Sequence, residues 1–228
     1  MTTHSSQPTS TPLPEPVGYV RDALRGLGAP WFLCGGWAVD AWLDRRTRDH
    51  GDVDIAMFHR DQHSIVEHLA GWALVGHDPN VPDDTNEPWH GRHLDLPAHV
   101  HVPVLGSSLS TSATATHTAF EFEFILVERT GDDWVLNPEC DITIAMERGI
   151  RQSAWGLPTA AAEVVLFIKA GATLTAAEVA AATSLYRPRD EQDFFALLPA
   201  LDAPQRQWLR QSLDRVLPGH PWLTHLRS

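Results

Sequence analysis

Residues 31–58 constrain this chain more than any other stretch. They comprise an apolar run, the glycine pair Gly35-Gly36, a short amphipathic segment, and two aspartates, Asp52 and Asp54, separated by one residue. This order predicts a strand, a tight turn, a helix and a second strand. A lone Asp-x-Asp is commonly a solvated strand face, and a lone Gly-Gly is commonly a turn. Their combination in this order indicates a functional site.

The aspartate pair predicts a magnesium site. On a strand, side chains two residues apart project from the same face about 6–7 Å apart, so Asp52 and Asp54 point together while Val53 and Ile55 point into a core. Mg²⁺ takes oxygen ligands, typically one or two carboxylates with waters and substrate phosphates. In a two-metal displacement the ions lie about 3.5–4 Å apart and stabilise the attacking and leaving oxygens. We therefore expect Mg²⁺, with two ions.

The glycine pair predicts a phosphate-binding turn. Without a Cβ atom, Gly35 and Gly36 let backbone amides approach a phosphate closely. The helix expected over residues 37–43 would direct the positive end of its dipole to the same place. The predicted ligand is a nucleoside triphosphate, with ATP as the expected co-substrate.

The same segments resemble the aminoglycoside and lincosamide adenylyltransferases of the polymerase-β-like nucleotidyltransferase superfamily. The similarity is densest in residues 35–43 and 45–55, resumes in residues 158–169 and 187–194, and covers most of residues 31–223. It implies that the two aspartates bind catalytic metals and that the glycine pair contacts the triphosphate. It also implies a third acid on a later strand.

Glu123 is the expected third acid. The segment from Phe122 to Glu128 resembles the one that carries it in the family. Independently, alternation over residues 120–124 places three aromatic side chains on one face and Glu121 and Glu123 on the other. Glu121 is the main alternative, and an ordinary exposed edge with solvated acids is another. As a base, Glu123 would take the proton of the acceptor hydroxyl directly or through one water.

Several basic residues are candidates for balancing the charge of the triphosphate. Arg45, Arg46 and Arg48 precede the aspartate pair, and at least one of them is expected to reach phosphate, with Arg45 and Arg48 preferred. Lys169 ends an apolar helical run and could place its ammonium on the triphosphate. The alternative for Lys169 is a side chain that extends to solvent at the margin of the helix.

Asp190 and Asp193 open a later predicted helix together with Arg187 and Arg189. Acids in a first helical turn complement the helix dipole, which favours a structural role. In the resembled family a similar segment packs near the cleft, so these residues are interpreted as supporting the site rather than as catalytic.

A histidine cluster raises the question of a zinc site. Its members are His90, His93, His99 and His101. No cysteine lies close in the sequence, and Pro97 and Pro103 are expected to break the regular element that would align the imidazoles. We therefore expect histidines at the surface or lining the cleft.

The whole chain predicts an α+β fold, with a small mixed sheet flanked by helices and a C-terminal helical region. The expected parts are a flexible tail at 1–16, a nucleotidyltransferase domain at 17–150 and helices at 151–228. A mobile surface loop is expected at 106–119, and a short strand at 72–75.

Helix caps are also expected at three positions near the C-terminus: Thr159, Thr175 and Asp202.

Charge and composition narrow the partners. The net charge of −12 disfavours a polynucleotide acceptor, which needs a basic face, and favours attraction of a polycationic small molecule. The alternative is that acidity only provides solubility. Two cysteines, Cys34 and Cys140, give no disulfide framework and are expected to be reduced. With no apolar run of membrane-spanning length, we expect a cytoplasmic protein with no membrane partner.

These observations predict a metal-dependent nucleotidyltransferase that moves AMP from ATP to a hydroxyl of a small molecule, with an aminoglycoside-like antibiotic as the expected acceptor. One alternative is a toxin-like nucleotidyltransferase that acts on RNA or protein. Another is a nucleotide-binding protein without turnover. The sequence leaves the oligomeric state and the acceptor open.

Overall fold

A computed structural model describes residues 12–80, 88–104 and 120–227 of the chain. Within these ranges a single mixed sheet is formed by nine strands: β1 (Trp31–Leu33), β2 (Asp52–Phe58), β3 (Val75–His77), β4 (Ala98–Val104), β5 (Phe120–Thr130), β6 (Asp133–Asn137), β7 (Ile142–Ala145), β8 (Ile150–Gln152) and β9 (Pro158–Ala160). The α-helices in the same ranges are α1 (Glu15–Ala23), α2 (Gly35–Leu43), α3 (His63–His68), α4 (Met146–Gly149), α5 (Ala162–Lys169), α6 (Ala176–Ala181), α7 (Pro188–Leu197) and α8 (Ala203–Val216).

The order of the strands puts β2 and β5 side by side at the centre of the sheet. The main path runs β3-β4-β5-β2-β1-β9-β8, with β6 and β7 continuing from β5. Strand β1 pairs antiparallel with β2, whereas β2 pairs parallel with β5. Because parallel neighbours in register place equivalent side chains next to each other, residues far apart in sequence meet on one face.

The core lies on the face of β2 and β5 that carries their apolar positions. Val53, Ile55, Phe122 and Phe124 are completely buried there. Burying each of these side chains contributes about 1.5–3 kcal/mol. The alternation therefore fixes which face of each strand turns away from the core, since a one-residue slip would expose the whole set.

The predicted fold class is confirmed: the chain has an α+β architecture with a mixed sheet and helices after it. Two elements differ in position from the predictions. Helix α1 begins at Glu15, inside the segment predicted as a tail, and the strand predicted at 72–75 is found at Val75–His77, with Trp72 in the preceding turn. The rest of the tail, residues 1–11, and the predicted 106–119 loop lie outside the described residues.

The sheet continues beyond residue 150 through β8 and β9. Thr159 is buried in β9, where its hydroxyl donates to the Leu157 carbonyl, and helix α5 is instead preceded by Ala161. The predicted Thr159 cap is therefore wrong, because strand pairing with β1 and β8 takes this segment. The capping boxes at Thr175 and Asp202 are confirmed.

No helix in the described part of the chain has the length and apolar content to cross a membrane. Cys34 and Cys140 are both free.

Candidate active site

The parallel pairing of β2 and β5 brings three predicted acids together. In this register Asp54 lies opposite Glu123 and Asp52 opposite Glu121. One carboxylate oxygen from each of Asp52, Asp54 and Glu123 lies within 4.8 Å of the others. We call these three residues the carboxylate cluster. Glu121 is exposed and is not a member of this group.

Crowding and burial raise the pKa values within the carboxylate cluster. Burial and then the charge of Asp52 raise the pKa of Asp54 to about 6. Burial, followed by the charges of Asp54 and Asp52, raises the pKa of Glu123 to about 8. Like charges that share a partly buried site oppose each other's ionisation. A divalent cation between these oxygens would remove that opposition, so the residues fit a hard metal ion.

The glycine pair lies directly against the carboxylate cluster. Gly35 has a φ of +61°, and a Cβ atom there would lie 1.7 Å from Asp54 Oδ2. A Cβ atom at Gly36 would lie 2.3 Å from His50 Nδ1 and 2.6 Å from Arg48 Nη2. Both positions therefore require glycine because neighbouring side chains fill the space, a reason that the sequence did not reveal.

Helix α2 begins at Gly35, and no side chain caps its N-terminus. The first backbone N–H groups of a helix have no partner within the helix. With the dipole of the helix, these groups form a site suited to an anion beside the carboxylates.

A buried polar network fixes the segment that precedes the aspartate pair. Asp40, inside the otherwise apolar helix α2, accepts hydrogen bonds from the backbone N–H and the hydroxyl of Thr47. Its other oxygen lies 2.7 Å from His50 Nε2, and the His50 ring packs on Trp37. Residues 44–51 are thereby tied to α2. This network was not predicted from the sequence, although an aspartate within an apolar helix could have indicated it.

Lys169 and Arg48 are both held by aspartates of helix α7. Lys169 Nζ lies 2.7 Å from Asp193 Oδ2 and 3.2 Å from Asp190 Oδ1. Arg48 donates to both oxygens of Asp193, at 3.1 and 2.9 Å. Lys169 is buried, which excludes the alternative of a lysine extended to solvent. We call these residues, together with Arg187, the ion-pair cluster.

The ion-pair cluster lowers the pKa values of its acids. Burial alone would raise the pKa of Asp190, but hydrogen bonds from Arg187 and the charge of Lys169 lower it to about 2. Burial also opposes ionisation of Asp193, yet Arg48 and Lys169 bring its pKa below the ordinary value. The predicted supporting aspartates thus hold the cations that line the cleft.

The remaining arginines divide by position. Arg189 lines the cleft, is exposed, and has no ion-pair partner among the described residues. Arg45 is exposed and does not line the cleft, whereas the Arg46 guanidinium lies 5.7 Å from the centre of the Trp37 ring. The structure therefore brings Arg48 and Lys169 to the site but not Arg45. Arg189 was not singled out as a phosphate ligand by the sequence.

The cleft has a volume of about 990 Å³, including space open to solvent. The carboxylate cluster and the basic side chains make part of its lining charged, and the rest of the lining is apolar. The apolar part is lined by Cys34, Ala56, Ile125, Val127, Trp134, Val165 and Ile168. Such a cleft suits a ligand with a strongly anionic portion and a flat or apolar portion.

Two of the predicted histidines contact the carboxylate cluster. Strand β4 is continuous through Pro103, and Pro97 lies just before it, so the expected break in the regular element is wrong. His99 Nδ1 lies 3.1 Å and His101 Nε2 lies 3.3 Å from Glu123 Oε1. Both side chains therefore lie beside the carboxylate cluster.

Comparison with known proteins agrees with the resemblance seen in the motifs. Residues 17–78 match the family model described as aminoglycoside-2″-adenylyltransferase. No curated protein matches the chain in sequence.

Solved structures with similar folds carry related descriptions. The lincosamide antibiotic adenylyltransferase LnuA, in its lincomycin-bound crystal structure, is 14% identical, with coverage of 83% of this chain and 98% of that chain and a TM-score of 0.49. The solution structure of the antibiotic-resistance factor ANT(2″)-Ia is 15% identical, with 86% and 88% coverage and a TM-score of 0.48. Its crystal structure in complex with adenylyl-2″-tobramycin is 13% identical, with 87% and 95% coverage and a TM-score of 0.48.

Over residues 17–78 the chain is therefore similar to the family described as aminoglycoside-2″-adenylyltransferase. This match confirms the resemblance expected from the motifs in that part of the chain.

Proposed function

We propose that this protein transfers AMP from ATP to a hydroxyl group of a small molecule, with an aminoglycoside-like antibiotic as the acceptor. The observation that carries the proposal is the convergence of three carboxylates, from Asp52, Asp54 and Glu123, within 4.8 Å beside the uncapped start of helix α2. This arrangement can hold divalent cations and a polyphosphate at one point.

Asp52, Asp54 and Glu123 would hold Mg²⁺, with two ions expected. Their oxygen donors and the raised pKa values of Asp54 and Glu123 support this assignment, because a cation would relieve the crowding of like charges. When bound, the ions would supply stabilisation of the attacking and leaving oxygens of an in-line displacement.

The proposed reaction is attack of the acceptor hydroxyl oxygen on the α-phosphorus of ATP. A new P–O bond forms to the acceptor, the bond from the α-phosphorus to the bridging oxygen breaks, and pyrophosphate leaves. The hydroxyl proton goes to a base. We assign this role to Glu123, which lies beside Asp52 and Asp54, in the ionised form that a bound cation would favour.

The triphosphate would lie between the N-terminus of α2 and the cationic wall formed by the C-terminal region. Gly35 and Gly36 let Asp54 and Arg48 pack directly against the start of this helix, and Lys169 faces the same cleft. Because Arg48 and Lys169 are already neutralised by aspartates, Arg189 is the guanidinium that we assign to direct phosphate contact. The proposed metal ligands lie before residue 150, and Lys169 and Arg189 lie after it. This supports a catalytic part at residues 17–150 and a cleft wall contributed by residues 151–228.

The acceptor class is supported by two independent observations. The net charge of −12 would attract a polycationic molecule, and the matched family is described as aminoglycoside-2″-adenylyltransferase. On the nucleotide side, the apolar side chains that line the cleft would accommodate the purine ring of ATP.

Release of pyrophosphate from ATP and Mg²⁺ tests the proposal when measured with separate panels of aminoglycosides, lincosamides, RNA and proteins. We expect release with at least one aminoglycoside and a matching AMP adduct by mass spectrometry. Release only with RNA or protein would instead favour the toxin-like alternative. Binding of ATP without release with any acceptor would favour a protein without turnover.

The matched pair Glu123→Gln and Glu121→Gln tests the third acid. The two glutamates lie on the same face of β5, but only Glu123 belongs to the carboxylate cluster. We expect Glu123→Gln to lower kcat by at least about 100-fold, and Glu121→Gln to change it by less than about threefold. Equal effects of the two substitutions would contradict the assignment.

A further inference from the structure

Three histidines form a triangle on the edge of the sheet next to the proposed active site. His77 lies on β3, while His99 and His101 occupy alternate positions on β4 and therefore share a face. The register places His77 directly opposite His99, and Val75 opposite His101. His77 was not among the histidines singled out from the sequence, because only strand pairing brings it to this point.

The rings of this triangle are arranged around a common centre. The ring centroids are separated by 5.1 Å for His77 and His99, 5.0 Å for His77 and His101, and 5.0 Å for His99 and His101. Their planes make angles of 62°, 83° and 87° with one another. One nitrogen atom from each ring lies within 4.8 Å of the others.

These dimensions are close to those of a three-histidine metal site. With Zn–N bonds of about 2.0–2.1 Å in a tetrahedron, ligand nitrogens lie about 3.3 Å apart. Small rotations of the side chains would close the difference. The His99 and His101 side chains retain 45% and 35% of their exposure, so they have room for such rotations and an ion can reach them.

We propose that His77, His99 and His101 bind one divalent transition-metal ion of the zinc type, at a site distinct from the magnesium site. Imidazole nitrogens suit zinc, copper and nickel, whereas carboxylates suit magnesium. Glu123 Oε1 lies 3.1 and 3.3 Å from nitrogens of two of these histidines, His99 and His101. The two sites therefore adjoin at Glu123.

A role in orienting Glu123 by hydrogen bonds is the competing explanation. It requires only His99 and His101, which lie within hydrogen-bonding distance of Oε1. It gives no reason for His77 to complete the triangle. A metal ion uses all three rings and explains why their planes are inclined steeply to one another.

Metal-free protein without an affinity tag, titrated with Co²⁺ under saturating Mg²⁺, tests the site. Magnesium occupies the carboxylates, and Co²⁺ in a tetrahedral nitrogen-rich site gives a strong visible absorption. We expect this absorption to saturate at one equivalent and to disappear when Zn²⁺ is added. His77→Ala and His101→Ala should each weaken binding by more than about 100-fold, because even outer-shell changes at metal sites cost about 10–100-fold.

His93→Ala is the matched control. His93 is also an exposed histidine that packs near other histidine rings, but it belongs to no metal-binding group among the described residues. We expect its Co²⁺ binding to equal that of the parent protein. Thermal unfolding and circular dichroism establish that each variant is folded, and His99→Ala replaces any variant that is not.

Three results would overturn the proposal: no tetrahedral Co²⁺ signal in the parent protein, equal affinity in the parent and in a folded His77→Ala variant, or equal loss in His93→Ala. The readout does not require nucleotidyl transfer. Failure here would leave the pyrophosphate assay unaffected, and failure of that assay would leave the metal titration valid.

Discussion

Two groups of acidic residues have opposite electrostatic surroundings: the carboxylate cluster lines the cleft, and the acids of the ion-pair cluster contact cations that line it. The carboxylate cluster, centred on Asp54 and Glu123, has pKa values raised to about 6 and about 8. In the ion-pair cluster, the pKa of Asp190 is lowered to about 2, and that of Asp193 is also lowered. Burial opposes ionisation in both groups. The difference lies in their partners. Within the described residues, lysine and arginine form ion pairs with the acids of the second group but not with the carboxylate cluster, where Glu123 contacts only histidines.

The comparison shows which acidic side chains have their charge balanced by other side chains of the protein and which would need a bound cation. Lys169, Arg48 and Arg187 neutralise the charges of Asp190 and Asp193, so the ion-pair cluster needs no added ligand to balance its acids. The carboxylate cluster has no such compensation in direct contact, and a bound cation would supply it. The residues that a cofactor completes can therefore be distinguished from residues that stabilise the fold.

The largest expected effect is that of Asp54→Asn. We expect nucleotidyl transfer to fall by at least about 10³-fold, since one metal-binding oxygen is removed. The metal-free variant should unfold at a temperature no lower than the parent does, because a desolvated carboxylate that repels its neighbours is replaced. Asp132→Asn, at a fully exposed turn, serves as the control and should leave both properties unchanged. A large loss of stability in Asp54→Asn would contradict the comparison.

Asp193→Asn should produce the reverse pattern. It leaves Lys169 and Arg48 buried or partly buried without their shared partner. Breaking such a pair costs about 3–5 kcal/mol, so the free energy of unfolding measured in urea should fall by about 3 kcal/mol. Glu191→Gln, at an exposed position of the same helix, is the matched control. Equal stability of the two variants would show that the ion-pair cluster does not hold the cleft wall.

Magnesium binding should release protons and strengthen with pH. Because the Glu123 pKa rises from 4.5 to about 8 in the fold, most molecules keep this proton at pH 7 in the absence of metal. The metal-free fold accordingly loses stability as the pH rises from about 4.5 to about 8. Mg²⁺ favours the ionised form, so its affinity should rise up to about tenfold per pH unit between about 6 and 8, where Asp54 is already ionised, and level off above 8.

Calorimetry in two buffers with different ionisation enthalpies measures this proton release. We expect nearly one proton per binding event at pH 7 and almost none at pH 9. The Glu123→Gln variant should show almost no release at either pH. Heats that are independent of the buffer at pH 7 in the parent protein would refute the prediction.

The smallest expected effect distinguishes Arg189, which lines the cleft, from Arg45, which does not. Arg189→Ala should raise KM for ATP about fivefold, in line with the modest energy of an exposed ionic contact. Arg45→Ala should leave KM unchanged, because Arg45 does not line the cleft. Steady-state kinetics measures KM for ATP in the two variants. A larger increase in Arg45→Ala than in Arg189→Ala would reverse the assignment of phosphate contacts.

Local sequence patterns were sufficient to predict much of the fold and of the carboxylate cluster. Alternation along residues 52–58 and 120–124 is enough to assign the faces of β2 and β5, and it places Val53 and Phe122 inside. Alternation cannot choose between Glu121 and Glu123, because both lie on the outward face. The parallel register decides, since it sets Glu123 rather than Glu121 opposite Asp54.

What the sequence did not predict depends on contacts between distant segments. His77 joins His99 only through the pairing of β3 with β4, and Lys169 meets Asp193 only after α5 and α7 pack together. The Thr159 error has the same origin. A threonine before an apolar helix has the local pattern of a cap, but pairing of β9 with β1 and β8 places it in the sheet.

The hydrogen bonds of Asp40 make residues 44–51 and helix α2 one mechanical unit. Thr47 and His50 are both attached to the same carboxylate, which is completely buried. Any shift of the helix when phosphate binds at its start would therefore carry the entry to β2 along with it. Variants selected for a new acceptor should consequently spare this segment and accumulate on the opposite wall of the cleft, where substitutions do not disturb the alignment of the triphosphate.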